Sequence, residues 1–110
     1  MAESTPSRAE FAENVLEIVQ AIPPGRVMTY DDIAAVLGSR ASRMVGQVMS
    51  RSGGDLPWWR VIRAGGHPPL CHDAEALEHY EAEGTPLLPS AVEAGYRIDY
   101  RTSRWTPPFD

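Results

Sequence analysis

Apolar residues recur along the chain with helical spacing in its first half. Phe11, Val15, Ile18, Val19 and Ile22 are separated by steps of four, three, one and three, which places them on one face of a helix. Ser7 stands at the N-cap of that helix, and Pro23-Pro24-Gly25 ends it. Thr29, followed three residues later by Asp32, has the form of a capping box with aspartate in place of the usual glutamate. Ile33, Ala34, Val36 and Leu37 then supply the apolar side of a short helix that Gly38 stops. After a turn of a few residues, Ala41 to Ser50 reads as a second helix. Met44, Val45, Val48 and Met49 lie on one side, leaving Arg40, Arg43, Gln47 and Ser50 for the other.

Regularity is lower after Gly53. Leu56-Pro57-Trp58-Trp59-Arg60-Val61-Ile62 is short, apolar and aromatic between two glycine pairs, and reads as a buried strand. Asp73 to Glu83 has helix-forming composition, with Ala74, Leu77 and Tyr80 on one side, an acidic outer face, and Gly84 as C-terminal cap. The proline-rich stretch Thr85 to Pro89 reads as a joint. Tyr96, Ile98 and Tyr100 alternate with Arg97 and Asp99 as in a half-buried strand, and Trp105 anchors the tail. The chain is therefore mostly α, with a helix-turn-helix and a short strand.

Length and composition change this picture little. At 110 residues and 43% apolar, the chain is expected to form one domain over 1–110 around one core, with 1–7 flexible. No apolar run approaches the roughly 18 residues of a membrane span, and Met1 to Ala12 lacks a signal-peptide core, so a soluble cytoplasmic protein is expected. The single cysteine, Cys71, forms no internal disulfide and excludes a four-cysteine zinc module.

Charge is more informative in its distribution than in its sum of −5. All ten basic residues are arginine, and Arg40, Arg43, Arg51, Arg60 and Arg63 fall between residues 38 and 66 against Asp55 alone, a net +4. Residues 1–37 carry −4 and residues 67–110 carry −5. One basic face can bind nucleic acid while the whole chain stays acidic, although a solvated arginine-rich surface has the same composition. A second helix carrying arginine and glutamine has the chemistry for phosphates and base edges. Trp58 and Trp59 fit either a small core or a wall for stacking a nucleobase, with Arg60 beside them for a phosphate or a carboxylate. Cys71 with His72 is a thiol-imidazole pair by sequence, but His67, Cys71, His72 and His79 match no established zinc spacing, and no metal or cofactor is expected.

Three blocks occur in order: Ile22-Pro23-Pro24-Gly25-Arg26-Val27-Met28-Thr29-Tyr30, Arg43-Met44-Val45-Gly46-Gln47-Val48-Met49, and Pro57-Trp58-Trp59-Arg60-Val61-Ile62. Together they resemble the DNA-binding domain of O6-alkylguanine-DNA alkyltransferases, and most of all its non-catalytic branch, the alkyltransferase-like proteins. The resemblance extends over residues 9–106. It implies a winged-helix-like helix-turn-helix domain with a short strand or strand pair, as in the alkyltransferase C-terminal domain. Catalytic members generally carry an extra N-terminal domain that is not part of this sequence.

In that family a Pro-Cys-His-Arg motif supplies a thiolate that takes the alkyl group from a flipped guanine, activated through histidine, water and glutamate. Here Trp58 stands at the cysteine position and Trp59 at the histidine position, so the resemblance implies no enzyme. Arg60 matches the motif arginine and is expected to tie the segment to a carboxylate. Glu83 matches the relay glutamate and, with its relay partner lost, is expected to serve helix capping or structure. Tyr30 matches the tyrosine that crowds the target phosphate, and Arg43 the arginine that fills the space left by the extruded base. Gly46 matches a glycine that lets the helix approach the minor groove.

The implied DNA contacts are Tyr30, Arg40, Ser42, Arg43, Gly46, Gln47, Ser50 and Arg51, and the implied base pocket is Tyr30, Trp58, Val61, Pro69, Leu70 and Cys71. The chain departs from the family at Ser50-Arg51-Ser52, where an asparagine hinge or further basic residues are usual, and in having no lysine or arginine between Arg63 and Arg97. The implied function is to bind O6-alkylguanine in double-stranded DNA without transfer and mark it for nucleotide excision repair. Its expected partners are damaged DNA and the UvrA protein or other excision-repair proteins, with the chain a monomer, no membrane, and a nucleoid association if bacterial. A regulatory or protein-interaction module, or a weak alkyltransferase using Cys71, are the other readings.

Overall fold

The computed structural model describes residues 7–92 and 94–108. Helix α1 (Arg8–Ala21) opens with a closed capping box: the Glu10 amide donates to Ser7 Oγ at 3.1 Å, and the Ser7 amide donates to Glu10 Oε1 at 3.2 Å. Ser7 is thus held in place, while the remainder of the stretch expected to be flexible, 1–6, lies outside the described residues. Val15, Ile18, Val19 and Ile22 are buried along one face. The chain turns at Pro23–Arg26 and enters strand β1 (Met28–Thr29), after which Thr29 caps α2 (Tyr30–Val36) through a second box with Asp32. Aspartate is long enough to close it, because its carboxylate accepts from the Thr29 amide at 3.0 Å.

Helix α3 (Ser42–Ser52) packs on α1 and α2, with Val45 fully buried. Met44, expected on the inner side, is exposed, since it lies a further 100° round the helix from Val45, towards solvent. The segment from Leu56 does not run as one strand. Pro57 lacks an amide donor and Trp58–Arg60 coils into a 3-10 turn, so only β2 (Val61–Ile62) is extended. It pairs in parallel with β1, Met28 opposite Val61 and Thr29 opposite Ile62. Side chains alternate across this pair: Met28 and Val61 enter a core with α1, α2 and α3, whereas Val27 and Ile62 enter a second with Ala76, Tyr80, Tyr96 and Ile98.

The second core is closed by α4 (Asp73–Glu83), which ends on Gly84 in the left-handed region at φ 70°. Its buried residues are Ala76 and Tyr80, with Leu77 partly buried; Ala74 faces solvent instead. The stretch expected as a joint holds β3 (Leu87–Pro89), antiparallel to β4 (Tyr96–Ile98), so the described residues hold two strand pairs. Proline is tolerated at this short edge. Gly66 makes a close approach: at φ 85° its backbone lies so near β4 that a Cβ would sit 2.4 Å from the Ile98 carbonyl. Tyr100 begins a helical turn, α5 (Tyr100–Ser103), and its hydroxyl donates to Asp32 Oδ2 at 2.5 Å. Burial, with the Asp32 carboxylate alongside, pushes that phenol up to about 12. The tail is fastened to the start of β1 by Arg26, which donates to the carbonyls of Ser103 and Arg104, and by Trp105, whose amide donates to Val27 and whose ring packs on the first core.

Candidate nucleic-acid interface

Helix α3 presents its polar side outward. Arg43, Gln47 and Ser50 are exposed at steps of four and three, with Arg51 beside them and Arg40 just before the helix. Ser42, its first residue, is half-buried. Gly46 lies on the same side with nothing within 4 Å of where a Cβ would stand, leaving a smooth notch in the helix surface. Unlike α1 and α2, α3 has no side-chain cap, because its N-cap is Ala41. An uncapped N-terminus with arginines around it favours an anion.

A cleft of about 490 Å³ opens alongside α3. Tyr30, Gly46, Met49 and Ser50 form one wall, and Trp58, Pro69 and Leu70 the other, across a floor at Gly53 and Gly54. The structure therefore brings together Tyr30, Trp58, Pro69 and Leu70 of the expected base pocket. Val61 is not in it: as the first residue of β2, it points into the first core and is fully buried. Cys71 is not in it either. With its backbone in the left-handed region at φ 68°, it turns towards a neighbouring cavity shared with Arg63, Asp73 and Ala94. In their place the cleft receives His72 and Glu75. The spacing of three between these residues, at the start of a readable helix, was the available signal that they share a face.

Behind the cleft wall sits an aromatic stack. Trp58 meets Trp59 edge-on at 5.6 Å, and lies 5.5 Å from His72. Trp59 stacks on His79 with centroids 3.6 Å apart and planes 5° from parallel. Among the described residues, no three histidine, cysteine, aspartate or glutamate side chains are grouped as a metal site requires.

Glu83, expected to be left without a relay partner, has several donors. Trp59 donates its indole N–H to Oε2 at 2.9 Å, the Gly25 amide donates to Oε1 at 3.0 Å, and Arg60 donates through Nε and Nη2, the latter at 2.6 Å. Arg60 also donates Nη1 to the Ile22 carbonyl at 2.9 Å, so it ties the Trp58–Arg60 turn to both α4 and the end of α1. Burial alone would raise the Glu83 carboxyl, but the donors from Arg60, Gly25 and Trp59 outweigh it and hold the group below its usual range. Tyr80 adds a further tie, donating to the Trp59 carbonyl at 2.7 Å; burial pushes its phenol far up, so it remains a donor. The Tyr30 hydroxyl at the cleft is likewise raised by burial, against the pull of the Arg63 charge.

The cleft thus offers an aromatic wall, a neutral phenol, and an arginine-bearing helix at its edge. Residues 10–83 match the family model of the 6-O-methylguanine DNA methyltransferase DNA-binding domain. The chain is 40% identical over 103 residues to the DNA base-flipping protein of Escherichia coli K12, covering 86% of this chain and 74% of that one. It is 29% identical over 105 residues to Alkyltransferase-like protein 1 of Schizosaccharomyces pombe, covering 89% and 96%. Its fold resembles the crystal structure of S. pombe Atl1 in complex with damaged DNA containing O6-carboxymethylguanine, with a TM-score of 0.75, 28% identity, and coverage of 90% of this chain and 97% of that chain.

Proposed function

The chain belongs to the 6-O-methylguanine DNA methyltransferase DNA-binding-domain family, on its alkyltransferase-like side, and we propose that it binds O6-alkylguanine in duplex DNA by turning the nucleotide out of the stack and holding it without alkyl transfer. The observation that carries this reading is the cleft between Tyr30 and Trp58, open along the helix that bears Arg43. Arg43 fills the gap left in the stack, Tyr30 crowds the phosphate of the turned-out nucleotide, and Gly46 admits the backbone closely. Arg40, Ser42, Gln47, Ser50 and Arg51 hold the flanking phosphates and sugars.

Trp58 gives the base a flat face. Turning a nucleotide out costs a few kcal/mol, least at a damaged pair, and that difference, with stacking on Trp58, favours the lesion. Indole nitrogen is a donor only and supplies no nucleophile, and Cys71 lies outside the cleft. A tight complex without turnover serves as a mark. Nucleotide excision repair, through the UvrA protein in bacteria, is the process that would read it, and the acidic outer face of α4 is the surface we assign to that contact.

Fluorescence anisotropy on one duplex with either guanine or O6-methylguanine, at two salt concentrations, tests this reading. We expect tighter binding to the modified duplex, a steep loss with salt, and about a tenfold loss of the preference in Arg43→Ala. Mass spectrometry after incubation should show no added methyl group. Equal affinity for both duplexes would overturn lesion recognition, and a mass gain on Cys71 would overturn the absence of transfer.

A further inference from the structure

The walls of the cleft differ in charge from the helix beside it. Met49, Trp58, Pro69 and Leu70 are apolar, Tyr30 and Ser50 carry neutral hydroxyls, and His72 carries an imidazole. Among the described residues, Glu75 is the only carboxylate lining the cleft, and neither lysine nor arginine lines it. Arg63 acts on the Tyr30 hydroxyl from the adjoining cavity, where its side chain donates Nε to the Pro68 carbonyl at 2.8 Å. An adduct on a base held in this cleft therefore shares it with the exposed Glu75 carboxylate.

We infer that Glu75 makes this protein select against anionic O6-adducts, taking neutral or cationic O6-substituents in preference. The inference rests on the proposed binding of the flipped base in this cleft. A carboxylate brought into the cleft meets the Glu75 carboxylate, and water at the mouth screens the repulsion only in part. Imidazole at His72 offers a hydrogen bond without countering that charge when it is neutral. The carboxymethyl adduct, to which the S. pombe structure is bound, is the direct probe of this difference.

The test measures affinity at pH 8 for duplexes carrying guanine, O6-methylguanine, O6-carboxymethylguanine and O6-carbamoylmethylguanine. The last two match in size and differ in charge. Wild type should bind the carboxymethyl duplex about tenfold more weakly than the carbamoylmethyl duplex. Glu75→Gln should bring the two within about twofold. Glu78→Gln removes the same charge from α4 outside the cleft and should leave the tenfold gap in place. Preference for O6-methylguanine over guanine with no gap between the two larger adducts would overturn this inference alone. A gap that survives Glu75→Gln, or that closes equally in Glu78→Gln, would also overturn it. Equal binding of guanine and O6-methylguanine would overturn the proposed function and this inference with it.

Discussion

The two halves of the chain on either side of Gly53 are held together by different means. Before it, three helices pack their apolar faces into one core, and two capping boxes fix where the first two begin. After it, regular structure is sparse, and side-chain hydrogen bonds across long stretches of sequence do much of the fastening: Glu83 to Gly25, Trp59 and Arg60, Tyr80 to Trp59, Tyr96 to Asp73, and Tyr100 to Asp32. The cleft lies on the seam. Its α3 wall is positioned by packing, while its Trp58 wall is positioned by a partly buried carboxylate. Substitutions at the two walls should therefore fail in different ways.

The largest effect is expected from Glu83→Ala. It leaves the partly buried Arg60 guanidinium without its carboxylate and should cost about 2 kcal/mol, between an exposed and a fully buried pair, read from urea unfolding. A loss under about 1 kcal/mol would place the pair among ordinary surface ion pairs and erase the contrast between the halves.

The same carboxylate gives a pH signature. Its folded pKa lies below the ordinary value of 4.5, so its contribution is present above that value and lost as pH falls through the folded one. The stability gap between wild type and Glu83→Gln should accordingly be full at pH 7 and narrow below about pH 4, in urea midpoints measured across that range. A constant gap would show that packing, not charge, carries the effect.

In the first half, Thr29→Ala should cost about 1 kcal/mol by opening one capping box, and leave any lesion preference intact. Loss of preference together with stability would mean that the α3 wall depends on the start of α2 as closely as the other wall depends on Glu83. The smallest change in stability is expected at Gly46. Alanine there meets open space within a helix and should stabilise the fold by about 0.5–1 kcal/mol, while weakening DNA binding in an anisotropy titration. Unweakened binding would place the close approach of DNA elsewhere on α3.

The same division governs what the sequence disclosed. Apolar spacing and caps located α1, α2, α3 and α4 closely, because those elements are long enough to show a period and begin or end on residues with one structural use. Strands β1 and β2 have two residues each and pair across 33 positions, too short for a pattern and too distant for a turn signal. Strand β3 was hidden by Pro89 at its end and Pro86 just before it. At the site, Tyr30, Trp58, Pro69 and Leu70, which the family resemblance put together, line one cleft, whereas Val61 faces the first core as the pleat of β2 requires and Cys71, at positive φ, lines the neighbouring cavity. Glu75 was masked within an acidic helix face, where only its spacing from His72 set it apart. The partners of Glu83 converge from residues 25, 59 and 60, and nothing in local sequence announces such a meeting.

The indole of Trp59 also gives the bond it makes a single direction. A histidine between a thiol and Glu83 can pass a proton along, whereas the indole N–H that now meets Glu83 is donated and never exchanged in that way. It is a strut, pressed flat against His79, that holds the carboxylate from one direction. Indole has no acceptor nitrogen, so this ring fixes Glu83 in place without linking it to any proton further out.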